Sequence, residues 1–114
     1  MNIEHELLEK VGKAVGKDMR RATTLFVETR NESYNTKILT LMDIAQNVVF
    51  EGFREYVAKR QSELEKKLSE TSDENEKKVF LTQYIIFNKY TSLVNKTIAI
   101  ALGMEEPKKK KRKK

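Results

Sequence analysis

No cysteine occurs in this chain, which removes disulfide frameworks and cysteine-based zinc sites from consideration. Proline occurs once, at Pro107, so nothing ahead of it forbids long uninterrupted helices. Glycine is scarce, and two of the four glycines sit in "KVGKAVGK", inside a helical pattern with no strand before it; this is not a phosphate-binding loop. The only histidine, His5, lies in an acidic first turn where Glu9 is the sole candidate ligand four residues on, so it is expected at the surface and not on a metal. Long apolar runs are also missing. The longest, "IAIAL", is five residues, against the roughly 20 that a membrane-spanning helix needs. "MNIEHELLEK" lacks the basic start and apolar stretch of a signal peptide. These absences predict a soluble intracellular protein with no metal, no cofactor and no small-molecule substrate.

Carboxylates are plentiful, as in any glutamate-rich helix set, and their spacing alone does not mark an acid/base pair. Asp18 is the exception by position. It falls in the apolar stripe of the first helical segment, with Arg21 three residues on, which predicts a half-buried ion pair between them. No nucleophile, base and orienting acid line up, so the chain is not expected to be an enzyme.

What is present is helical periodicity. Ile3, Leu7, Leu8, Val11, Val15, Met19, Ala22 and Phe26 step by threes and fours, predicting a helix over 3–30. Gly12 and Gly16 fall along one edge of that stripe, which suggests a close approach by a neighbouring helix, or else a hinge or break. Turn and cap chemistry follows at Asn31, Ser33 and Asn35. A second helix is expected over 35–69, with a stripe of Ile38, Leu41, Met42, Ala45, Val48, Val49, Gly52, Phe53 and Tyr56. Thr71 with Glu74, and Asp73 with Glu76, have capping-box spacing for a third helix over 74–102. Gly103 suits its end and Pro107 bars its resumption. The expected fold class is therefore all-α, an up-down bundle of three long helices, or four if the first is split. Residues 1–103 form the bundle and 104–114 a disordered basic tail. Folding the chain at its two turns sets Leu8 near Val57, and Val57 near Ile86.

The second and third helices carry more apolar surface than two neighbours cover. Leu39, Ile44 and Phe50 lie off the second helix's main stripe, and Leu81 and Ile85 face away from Phe87 and Val94. This surplus predicts self-association through those five residues.

Charge is concentrated at the end. The chain carries 23 Lys+Arg against 17 Asp+Glu; without Lys108, Lys109, Lys110, Lys111, Arg112, Lys113 and Lys114, 16 cations face 17 acids. Seven consecutive like charges repel one another and favour an anionic partner. A second basic feature lies on the first helix, where Lys10, Lys13, Lys17 and Arg20, with Arg21 at the margin, line one flank as a helix following a phosphate backbone does. Pro107 followed by the Lys/Arg cluster resembles the monopartite nuclear localisation signals, and equally the lysine-rich extensions of nucleic-acid-binding proteins. Such a resemblance implies either an address, nuclear in a eukaryotic host, or a binding arm. The residues together predict a non-enzymatic nucleic-acid-binding protein of packaging or architectural type, small enough to be viral or plasmid-borne. It would self-associate and contact the phosphates of DNA or RNA without reading sequence. The competing expectation is a helical adaptor whose tail is only an address.

Overall fold

The computed structural model describes residues 3–49 and 52–103. It contains four helices and, among the described residues, no strand: α1 (Ile3–Thr29), α2 (Glu32–Asn47), α3 (Phe53–Glu70) and α4 (Glu74–Ala101). Four helices replace the expected three, and the additional break is not in the first helix. α1 runs unbroken through Gly12 and Gly16. The segment expected as one helix over 35–69 is instead divided near Gly52, whose φ of 84° lies in the left-handed region. That glycine is free to leave the helical basin where an L side chain resists it. The residue read as part of an apolar stripe is instead the N-cap of α3, five residues beyond the end of α2.

The remaining boundaries follow from local capping. Asn31 caps α2 by accepting from the Ser33 N–H at 2.9 Å. Arg30, at φ 58°, turns the chain out of α1 and donates its N–H to the Phe26 carbonyl at 2.8 Å. Two residues thus suffice to reverse direction between α1 and α2. Asp73 caps α4, accepting from Asn75 N–H at 2.8 Å and Glu76 N–H at 3.4 Å. The Asp73 N–H donates to Thr71 Oγ1, whose hydroxyl donates to Glu76 Oε1 at 2.6 Å. This is the expected Asp73–Glu76 capping box with the Thr71 hydroxyl inserted; Thr71 bonds to Glu76 and not to the expected Glu74. Gly103, at φ 74°, closes α4 as the left-handed residue beyond its cap.

α4 is the central element. It packs against each of the other three helices, whereas the backbones of α1 and α3 make no close contact. Its 28 residues give a length of about 42 Å, which matches the molecule's 44 Å long axis. Tyr90, Phe87 and Val94 of α4 are fully enclosed, with Val11 of α1, Ile44 of α2, and Val57 and Leu64 of α3 around them. Leu8, expected near Val57, instead edges a groove with Phe53, at the start of α3. Leu8 is exposed, while Val57 and Ile86 both join the core.

The buried face of α2 also differs from the expected one. Thr40, Leu41 and Ile44 are buried, while Met42, Ala45 and Val49 are exposed. The face is rotated by roughly a quarter turn at 100° per residue. Two causes combine. The expected stripe was carried across the Gly52 break as if one helix continued, and α2 turns its side chains mainly between α1 and α4, with a smaller contact to α3. Thr40 tolerates burial because its hydroxyl donates to the Thr36 carbonyl at 2.8 Å.

Neither Gly12 nor Gly16 meets a neighbouring helix. A Cβ on Gly12 would have nothing within 4 Å, and one on Gly16 would meet only the Arg20 guanidinium, at 3.6 Å. The expected close approach is therefore absent, and so is a hinge. Gly12→Ala should raise unfolding stability by about 1 kcal/mol, whereas Gly52→Ala should lower it by about 1–2 kcal/mol because alanine resists the left-handed region. Urea denaturation of the two variants measures both effects.

Candidate nucleic-acid interface

Continuity of α1 is what makes its basic stripe a surface. Lys10, Lys13, Lys17, Arg20 and Arg21 are all exposed. At 1.5 Å per residue the row spans about 16 Å, equal to about five phosphates along one strand of a duplex. Among the described residues none of the five enters an ion pair with a carboxylate. Gly12 leaves open space beside Lys13, whereas the Arg20 guanidinium lies over Gly16.

Asp18 is withdrawn from the stripe. It does not pair with Arg21, as its spacing suggested, but turns into the α1–α4 contact. One oxygen, Oδ2, accepts from Lys89 Nζ at 2.6 Å and from the Tyr90 hydroxyl at 2.9 Å. The partner is 71 residues away, on the helix that forms the middle of the bundle. A second contact of the same make-up joins α2 to α3: the Tyr56 hydroxyl donates to Asp43 Oδ2, with Arg60 Nε 4.0 Å from that oxygen. In both, burial and the neighbouring carboxylate push the tyrosine pKa well above its ordinary value. The neutral phenol is the hydrogen-bond donor, and ionising it would place two negative charges together in a part-buried site.

The five residues expected to form an oligomer surface separate. Ile44 has no solvent exposure and belongs to the core, for the reason given by the rotated face of α2. Phe50 lies outside the described residues. Leu39 (58 % exposed), Leu81 (49 %) and Ile85 (58 %) are solvent-facing, but they do not all meet. Ile85 edges a groove between α1, α2 and α4, whereas Leu39 edges another beside Tyr56, Arg60, Gln83 and Phe87. Leu81 and Ile85, four apart on α4, share one face. The seven tail cations Lys108, Lys109, Lys110, Lys111, Arg112, Lys113 and Lys114 lie outside the described residues.

The groove beside Ile85 was not foreseen. It measures about 210 Å³, with Ala22, Leu25, Leu41 and Ile86 at its base and Arg21, Lys37 and Lys89 around it. Lys37 and Lys89 are unremarkable among the chain's many lysines until three helices assemble. The one advance sign was Asp18, a carboxylate in an apolar stripe that needed a partner from elsewhere. His5 is exposed, and no group of histidine and carboxylate side chains among the described residues is arranged to hold a metal ion. No helix among the described residues is long and apolar enough to cross a membrane.

The architecture defines the class: an all-α protein of four helices, three of them packed on the fourth. The chain matches no protein-family model, no curated protein and no solved structure.

The raised tyrosine pKa values set a pH dependence. A phenol that stays protonated in the folded state, but ionises near pH 10 when unfolded, contributes stability that is intact below pH 10 and lost as pH rises above it. For the buried Tyr90 the loss should be about 1.4 kcal/mol per pH unit. Tyr90→Phe should lower stability at pH 7 and remove that share of the alkaline slope. Chemical denaturation at stepped pH from 8 to 11 checks both.

Proposed function

We propose that this protein is a non-enzymatic nucleic-acid-binding protein that self-associates and holds phosphates with little regard to base sequence. The observation that carries this reading is the row of five exposed cations on α1, none of which enters an ion pair with a carboxylate among the described residues. The terminal run of seven cations supplies a second, longer source of positive charge on the same chain. Lysine and arginine contacts to phosphate carry no base information, so packaging or coating of DNA or RNA suits this charge distribution. The apolar face of Leu81 and Ile85 is the surface proposed for self-association, with Leu39 on a separate face. An intracellular setting, where nucleic acid is found, goes with this reading.

Mobility-shift titrations on duplex DNA and RNA at stepped salt test the proposal. The full chain should show a slope of log affinity against log salt between about −3 and −6, since each neutralised phosphate contributes about −0.9. Deleting 108–114 should remove most of that slope. Lys13→Gln with Lys17→Gln should abolish the remainder, and scrambling the target sequence should change little. Undiminished affinity and salt dependence after both changes would overturn the reading.

Exposure of Leu81 and Ile85 also favours a second reading, an adaptor whose body binds proteins and whose tail is an address. Its sign is relocation of a passenger protein fused to the last ten residues, together with failure of the body to bind nucleic acid. Under the leading reading, Leu81→Lys with Ile85→Lys should weaken assembly in sedimentation equilibrium while helicity measured by circular dichroism is retained. A joint loss of assembly and helicity would place these two residues in the monomer's own core.

A further inference from the structure

The groove between α1, α2 and α4 combines two features that water alone does not satisfy together. Its base is hydrocarbon, from Ala22, Leu25, Leu41 and Ile86, and its volume of about 210 Å³ exceeds the roughly 150 Å³ of an apolar cavity that holds benzene. Its edge is cationic. Arg21 comes from α1, Lys37 from α2 and Lys89 from α4, against the single acid Asp18. Lys89 is already neutralised, its Nζ 2.6 Å from Asp18 Oδ2. Arg21 and Lys37 have no carboxylate partner among the described residues. The Lys37 ammonium instead sits 5.1 Å from the Tyr34 ring centroid.

Two uncompensated cations on adjacent helices therefore overlook an apolar floor. Water hydrates the cations but leaves the floor wet, and a neutral hydrocarbon covers the floor but leaves the cations without a counter-charge. A ligand that joins an acid group to an apolar body answers both at once, through charge-assisted hydrogen bonds at the edge and burial at the base. A duplex backbone presents phosphates but no hydrocarbon of that shape, so the groove calls for a different ligand from the stripe.

We propose that this groove binds a single-chain amphiphile with one anionic head, carboxylate or phosphate, held by Arg21 and Lys37, and a short apolar tail lying over Leu25, Leu41 and Ile86. Because such a ligand touches three helices at once, its binding also stabilises the junction between α1, α2 and α4. The site stands independently of the nucleic-acid reading, with Arg21 as the one residue common to both.

Isothermal titration of the full-length chain with octanoate, octyl phosphate, octanol and octyltrimethylammonium tests this directly. The two anions should bind at one site per chain, about tenfold or more tighter than octanol, as expected for one charge-assisted contact, and the cation should not bind. A preference between octanoate and octyl phosphate identifies the head group. Lys37→Gln should lose about tenfold in affinity for the anions and nothing for octanol. Arg21→Gln should do the same, which guards against a local rearrangement peculiar to one variant. Lys37 is outside the α1 stripe, so its replacement separates this site from duplex binding: loss of octanoate with mobility shifts unchanged supports the groove on its own terms. Octanoate binding no tighter than octanol, or equal octanoate affinity in the original chain and both variants, overturns the proposal.

Discussion

A buried hydroxyl constrains how this bundle is assembled. Tyr90 is enclosed at the centre of α4 with no solvent exposure, so its O–H needs an acceptor from the protein. Asp18 of α1 provides it, and the same oxygen takes Lys89. The contact requires α1 to lie against α4 with Asp18 turned inward. On a helix of 3.6 residues per turn, that choice decides which flank of α1 faces out. The cations at 10, 13, 17 and 20 are on the outward flank as a consequence.

The same contact controls local electrostatics. Asp18, close to Lys17 and Arg21 in sequence, has its charge used between helices, and among the described residues no carboxylate pairs with the row. The Asp43–Tyr56–Arg60 cluster repeats the arrangement between α2 and α3, where Gly52 has broken the helical path and covalent continuity no longer sets the angle. Two tyrosine–carboxylate contacts thus join helix pairs that apolar packing alone would leave free to slide, since hydrophobic burial is not directional.

The position of α4 accounts for the grooves. A central helix with three neighbours has most of its circumference covered, yet the backbones of α1 and α3 make no close contact. Gaps remain on either side of the α2–α4 contact, one opening beside Ile85 and the other beside Leu39. Apolar side chains that look like a single surplus in the primary structure are thereby distributed over two surfaces, and one of them, Ile44, is consumed by the core.

Local chemistry was legible in the sequence wherever a few neighbouring residues suffice. Asn31 and Asp73 start helices because their side chains reach N–H groups two or three residues ahead, and Gly103 ends one because it alone enters the left-handed region cheaply. The all-α character, the core face of α1 and the spacing of its cations were readable for the same reason, since each depends on a 3.6-residue period. Gly52 was ambiguous, because a glycine in an apolar stripe is compatible with either a continuing helix or its end. The facing of α2, the partner of Asp18 and the meeting of Arg21, Lys37 and Lys89 were decided only by tertiary structure. Each depends on which helices become neighbours, and periodicity along a single helix carries no information about the helix that will pack against it.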